Sequence, residues 1–398
     1  MIANHYPKPL STAVAQKMAA GGYAEYIRKH PIASMDAPSS AVLTQWAKGA
    51  PNGLVYISEK ETVTIRNYNV TPRLPTNGLT VAELFCGGGL MAVGLQAAGY
   101  DITFANDFDK RAAEAYAYNI GDHVICGDIT DEALQARIPD ADIIAGGPPC
   151  QDYSVAGAGA GEDGERGKLV WTYLRIIERK QPKAFVFENV KGLITKRHRP
   201  TFDALLAEFD LIGYAVTWRL INAWDYGVAQ KRERVFIVGV RKDIGFTFEF
   251  PEPGAEEYRT QVLRDVIGDL PEPYDQKHTQ ESVQRNHIEY PITEAQFSHA
   301  KAHQQGYNDS PDKPARIVRA KVENFAEFPQ DRPRRFTVRE CLRIQSVPDT
   351  YVLPDTISLS AQYRIVGNGV ASRVSYVIGV ALAEQLNAAL AEDLRETA

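Results

Sequence analysis

The chain has 398 residues, 44% of them hydrophobic and 24% charged, a balance that supports a sizeable core and excludes wholesale disorder. The formal charge is −6, from 44 basic and 50 acidic residues, which argues against indiscriminate coating of polyanions and still allows one basic face. Cys86, Cys126, Cys150 and Cys341 form no CxxC pair, so a disulfide scaffold and a Cys-rich zinc site are excluded and no metal is expected.

Residues 1–76 read as a separate extension of unassigned role. A helix is expected over 10–29, interrupted at Gly21–Gly22, then two strands within 53–70 and a linker marked by Pro72, Pro75 and Gly78. The first 80 residues carry eight basic and four acidic groups, a local net of +4. No signal-peptide core and no apolar run of membrane-spanning length is visible, so a cytoplasmic protein is expected.

From residue 79 the chain alternates strand and helix. LTVAELF ends in a glycine turn and a helix; DITFAND is followed by a helix over 110–119. HVICGDI and ADIIAGG come next, then a helix near 169–180, KAFVFENV and RVFIVGVR. Short strands rich in β-branched and aromatic residues, separated by helices, predict an α/β fold with a doubly wound, mostly parallel sheet. Ligands in such sheets sit beyond the carboxyl ends of the strands, where every motif below is expected. Residues 77–241 form this cofactor-binding and catalytic part. The rhythm breaks over 242–335, a small irregular region holding four of the eight histidines without metal-ligand spacing. Residues 336–398 return to the catalytic part through a helix over 337–346 and an apolar helix over 370–390.

Several strand ends carry groups suited to chemistry. Gly87-Gly88-Gly89-Leu90-Met91-Ala92 fits a loose dinucleotide turn, with Asp107 at the next strand's end placed to accept from two ribose hydroxyls. Asp128 is placed to reach an adenine amino group. A P-loop is excluded because Glu162 and Leu169 occupy its Gly and Ser/Thr positions. In GGPPCQ, two prolines fix Cys150 at the mouth of the sheet, which favours a nucleophilic thiolate over a packing cysteine. The glycine-rich stretch 157–167 reads as a lid. Glu188 ends an otherwise apolar strand, where desolvation raises its pKa toward proton donation. Arg232 and Arg234 alternate onto one face and are expected to flank a carboxylate or phosphate. Residues 313–343 hold nine basic against four acidic groups, a net of +5 and a candidate nucleic-acid face.

The ordered series ELFCGGG, NDFD, GDI, GGPPCQ, ENV, QKRER, RECLRIQSVPD and YRIVGNGV resembles the cytosine carbon-5 DNA methyltransferases over roughly residues 79–385. The resemblance implies a class I, Rossmann-like methyltransferase with S-adenosylmethionine as cofactor, S-adenosylhomocysteine as product, and double-stranded DNA as partner. It implies a catalytic set of Cys150, Gln151, Glu188, Asn189, Arg232 and Arg234. Cys150 would add to carbon 6 of a flipped-out cytosine, Glu188 would protonate nitrogen 3, and Arg234 would steady the carbonyl oxygen. Phe85, Gly87, Gly89, Asp107, Phe108, Asp128, Ile129, Pro149 and Asn368 match cofactor-contacting positions, with Phe108 suited to stacking on adenine.

The chain departs from the family at Asp152 and Tyr153, where a small residue or Pro and then Phe are common. The variable target-recognition part is short, about 272–312, and implies a short recognition sequence. Gln230, Gln284, Arg285, Asn286, His287, Arg334 and Arg335 are the candidate DNA contacts. A monomer and a cognate restriction endonuclease system are further expectations. The alternatives are a tRNA-modifying enzyme of the same family and, from a different class, an NAD-dependent oxidoreductase, which would leave Cys150 and Glu188 unexplained.

Overall fold

The computed structural model describes residues 73–149, 167–270, 273, 286–287, 308–319, 325–326 and 334–396. All of them belong to the second of the chain's two units, Arg66–Ala398. The extension 1–72, with the helix and strands expected there, lies outside the described residues. So do Cys150, Gln151, Asp152, Tyr153, the expected lid up to residue 166, Gln284 and Arg285.

A seven-stranded sheet organises the fold. Its strands are β1 (Thr80–Leu84), β2 (Asp101–Asp107), β3 (Val124–Cys126), β4 (Ile143–Gly146), β5 (Ala184–Val190), β6 (Tyr214–Asn222) and β7 (Glu233–Arg241), in the order β3-β2-β1-β4-β5-β7-β6. The first five are parallel. β1 and β4 are short apolar runs because helices cover both of their faces. On one face lie α1 (Leu90–Ala97) and α9 (Ser372–Glu396), with Met91, Leu95, Val374 and Leu382 in the core. On the other lie α4 (Gly167–Lys180) and α5 (Arg199–Leu211), through Val170, Tyr173, Phe202 and Phe209. Helix α2 (Lys110–Asn119) starts where the Asp109 carboxylate caps the Arg111 amide at 2.9 Å, and α3 (Glu132–Gln135) is a single turn.

The sequence reading did not anticipate β6 or the direction of β7. β7 runs antiparallel to both β5 and β6. Only residues 223–232 join β6 to β7, too few for the helical crossover that a parallel pair requires. The reversal brings the start of β7 to the same sheet edge as the carboxyl end of β5, with Val190 opposite Arg234. QKRER therefore reaches the ligand-binding edge by preceding its strand, whereas the other motifs follow theirs.

A third cluster packs α6 (Leu263–Ile267), α7 (Val338–Ile344) and α8 (Leu359–Asn368). Thr337 and Glu340 cap α7 reciprocally. Here the basic stretch 313–343 needs correction as a DNA face. Arg339 and Arg343 are fully buried, and Arg343 pairs with Asp269 and Asp349 at 2.6 Å each. Part of that +5 is internal scaffolding. The stretch 359–392 is also apolar and long enough to cross a membrane, contrary to expectation, but 78% of its most apolar window is buried in the fold.

Candidate active site

The strand order reverses at β1, between β2 and β4, and the crevice expected there is present. A cavity of about 750 Å³ is lined from the ends of β1, β2, β4 and β5 and from residues 364–370. Of the cofactor positions inferred from the motifs, Phe85, Gly87, Asp107, Phe108, Asp128, Ile129, Pro149 and Asn368 line it, together with Glu188, Asn189 and Arg234, whereas Gly89 does not and faces Tyr116 and Ile120.

The glycine turn is built for close approach. Phe85, Gly87 and Gly89 have φ of 55°, 55° and 83°, the left-handed region in which glycine is unstrained. The Gly87 amide donates to Asp107 Oδ2 and the Asp109 amide to Asp107 Oδ1, both at 2.8 Å. Asp107 thus ties the turn to the end of β2. Each oxygen keeps a second lone pair, so the ribose role remains open to it. Burial raises its pKa, partly offset by those amides. The Phe108 ring is 77% exposed at this cavity, an apolar surface with its face available for stacking. Asp128 Oδ1 accepts the Thr130 amide at 2.9 Å.

The second half of the cavity holds a carboxylate. Glu188 Oε1 lies 2.9 Å from Arg234 Nε, and the two side chains are only 12% and 14% exposed. Desolvation raises the Glu188 pKa against the opposing pull of Arg234 and then Arg232. A Cβ at Gly147 would stand 2.8 Å from Glu188 Oε2, so the second glycine of GGPPC makes room for this acid. Asn189 is a clamp: its Nδ2 donates to the Pro148 carbonyl at 3.0 Å, which fastens the proline turn leading to Cys150 onto β5.

Several expectations are corrected. Arg232 and Arg234 both act on the Glu188 carboxylate, as expected, but Arg232 does not line the cavity. Its guanidinium is buried and donates to the carbonyls of Val318 (3.0 Å), Gly367 (3.1 Å) and Gly369 (2.8 Å), so it positions the loop carrying Asn368. Gln230 is no DNA contact: fully buried, it accepts the Val318 amide at 2.8 Å and donates to Gln345 at 2.9 Å. Asn286 and His287 are not base readers either. Asn286 is buried and exchanges bonds with the Leu353 backbone, while His287 pairs with Thr337 Oγ1 at 2.8 Å. Arg334 and Arg335 form a two-residue strand antiparallel to Phe325–Ala326.

Motif reading missed Glu83 and Arg364. Glu83 is buried within β1 and lines the cavity; Arg364 also lines it and donates to Asp109 at 2.8 Å. No group of metal-ligating side chains occurs among the described residues. The donor set is anionic and aromatic beside a glycine turn, which fits a cationic, nucleoside-bearing cofactor.

Comparison with known proteins agrees in kind. Residues 79–384 match the family model described as C-5 cytosine-specific DNA methylase. The chain is 36% identical over 335 residues to the type II methyltransferase M.FnuDI of Fusobacterium nucleatum, covering 77% of this chain and 95% of that protein. It is 35% identical over 333 residues to M.NgoPII of Neisseria gonorrhoeae, covering 78% and 97%. Among solved structures, a Dnmt2 methyltransferase from S. pombe shares the fold, with a TM-score of 0.55 at 20% identity over 78% of this chain and 99% of that one.

Proposed function

The chain belongs to the C-5 cytosine-specific DNA methylase family, and on that premise we propose how its residues divide the work of methylating carbon 5 of a cytosine. The protein is a DNA (cytosine-5) methyltransferase related to the type II enzymes, and its family uses S-adenosylmethionine. Neither alternative weighed from the sequence is favoured by these relatives.

Carbon 5 of cytosine is a poor nucleophile until the ring is made enamine-like. The target base leaves the DNA stack, at a cost of roughly a few kcal/mol, because neither carbon 6 nor nitrogen 3 is reachable within the duplex. Cys150 supplies the thiolate that adds to carbon 6, and Glu188 holds the proton that nitrogen 3 takes up. Arg234 keeps Glu188 in place and meets the base's carbonyl oxygen. Phe85, Gly87, Asp107, Phe108, Asp128, Ile129, Pro149 and Asn368 hold the cofactor, and Gly89 shapes the turn beside it. When bound, S-adenosylmethionine supplies an electrophilic methyl group on a sulfonium. After carbon 5 takes that methyl, its proton leaves to water or a weak site group and the Cys150 thiol departs.

The observation that carries this reading is the Glu188–Arg234 pair at the cavity, beside the proline turn that Asn189 clamps. Target reading falls to the short recognition region and the basic stretch after it, with Gln284, Arg285, Arg334 and Arg335 as the remaining candidates. The reading extends to a cytoplasmic monomer working beside a cognate restriction endonuclease. With labelled S-adenosylmethionine and duplex DNA, the wild type should label cytosine and Cys150→Ser should not. Undiminished labelling by that variant would sink the mechanism, and bisulfite sequencing of the product reads out the target sequence.

A further inference from the structure

A second buried acid lines the cavity, and the methyl-transfer chemistry does not use it. Glu83 is the penultimate residue of β1, is 1% exposed, and its Oε2 has no hydrogen-bond partner. An isolated carboxylate in such a place is costly, so the group is held neutral. Burial pushes its pKa up to about 8; Asp107 adds to that, while Tyr116 and the Ala92 backbone amide pull the other way. The groups facing it are Tyr116 from α2, Asp107 from β2, Ala92 from α1, Cys86 beyond β1, and Tyr351 from the segment before α8. No cation is among them.

Glu83 also has a route to solvent. The Tyr116 hydroxyl faces Glu83 and lowers its pKa, and that hydroxyl lies 3.3 Å from His123 Nε2. Tyr116 is completely buried, whereas His123 is half-buried beside Asp122 and Asp101. The three side chains therefore follow one another from the cavity wall to the surface.

We propose that Glu83 is the counter-charge for the cationic cofactor, neutral while the cavity lacks a cation and ionised when the cofactor binds, its proton leaving through Tyr116 and His123. In that transfer the Glu83 O–H bond breaks as the Tyr116 oxygen takes the proton, and the proton originally on Tyr116 passes to His123 Nε2. Burial holds the His123 pKa below its ordinary value, so the imidazolium gives one proton to water at neutral pH. The sum is one proton released for each cofactor bound. The positive sulfonium, absent from S-adenosylhomocysteine, adds to the force that ionises Glu83.

This inference rests on the reading of the cavity as the S-adenosylmethionine site, and calorimetry separates the two. Full-length protein is titrated with S-adenosylmethionine and with S-adenosylhomocysteine at pH 7 in buffers of different ionisation enthalpy. Release of close to one proton is expected for S-adenosylmethionine and less for S-adenosylhomocysteine. Affinity for S-adenosylmethionine should rise by up to about tenfold per pH unit below the Glu83 pKa of about 8. Glu83→Gln should still bind, with the release and the pH slope abolished. Tyr116→Phe removes a hydroxyl that lowers the Glu83 pKa, so its affinity curve should shift to higher pH. Infrared difference spectra of the wild type should lose one protonated-carboxyl band on binding, a readout that does not depend on any variant folding. No binding at any pH overturns the cofactor reading itself. Binding without proton release, or release that persists in Glu83→Gln, overturns only the role of Glu83.

Discussion

Glu188 and Arg234 meet at 2.9 Å because β7 runs against β5, which sets Arg234 opposite Val190 and on the same pleat face as Glu188. A parallel β7 would have sent Arg234 to the far edge of the sheet. The pair gives the acid a fixed orientation, while burial keeps it able to hold a proton. Glu188→Gln preserves the shape and removes the proton, so methyl transfer should fall by about 10²–10⁴-fold, the usual worth of a general acid. Cofactor affinity, measured by calorimetry, should stay within about twofold of wild type, since one kcal/mol is already a factor of about five. An equal loss in both would mean that the acid serves the cavity's shape and not the chemistry.

The pH profile follows from the signs. Glu188 must be protonated to donate, so the rate falls as pH rises through its raised pKa. Arg234 is the largest force lowering that pKa. Arg234→Gln should therefore reduce the rate overall and move its basic limb to higher pH. A limb that stays in place in single-turnover assays would show that Glu188 is not the titrating group.

The parallel half of the sheet and the cavity positions were legible because each strand is a short apolar run ending in a turn motif. β6 was not, since YAVTWRLIN at the sheet edge is half-exposed and lacks a continuous apolar signature. The direction of β7 depends on a ten-residue connection whose pairing no periodicity encodes. Glu83 could have been found: a carboxylate inside TVAEL violates the same rule that drew attention to Glu188 in AFVFENV. Gln230, Asn286 and His287 were misassigned because polar residues near a recognition region can equally serve as buried joints. Local sequence does not distinguish the two uses.

Arg232 links three carbonyls on two segments, and Asn368 lies between two of them. A lysine there keeps the charge but loses the fork geometry. Arg232→Lys should raise the KM for S-adenosylmethionine by about tenfold, the equivalent of one hydrogen bond to a charged group. The kcat at saturating cofactor should change less. A fall confined to kcat would place Arg232 in the chemistry instead.

Asn286 and His287 join the segment before the basic stretch to Leu353 after it and to Thr337 within it. Asn286→Ala would leave the Leu353 amide and carbonyl without their partner, costing about 1–3 kcal/mol in urea unfolding. The methylated sequence, read by bisulfite conversion, should be unchanged for Asn286→Ala and for His287→Ala. A relaxed or altered target would contradict their burial.

Gly94 marks a close crossing of α1 and α9. A Cβ there would land on Ser375 Oγ and the Ser372 carbonyl, and 2.7 Å from the Tyr376 amide. Two effects oppose each other in Gly94→Ala. Helix propensity favours alanine by about 1 kcal/mol, whereas forcing a methyl into backbone costs about 1–3 kcal/mol or more. The overlap involves main-chain atoms of a 25-residue helix that cannot swing aside like a side-chain tip. The clash should therefore win, with net destabilisation of up to about 2 kcal/mol after the propensity gain is subtracted. The same helix returns through residues 367–370 to the cavity, so cofactor affinity should weaken along with stability. Thermal melts with and without S-adenosylmethionine test both parts. A variant as stable as wild type would mean that α9 can slide, and that the cavity wall it carries is less fixed than the Gly94 contact requires.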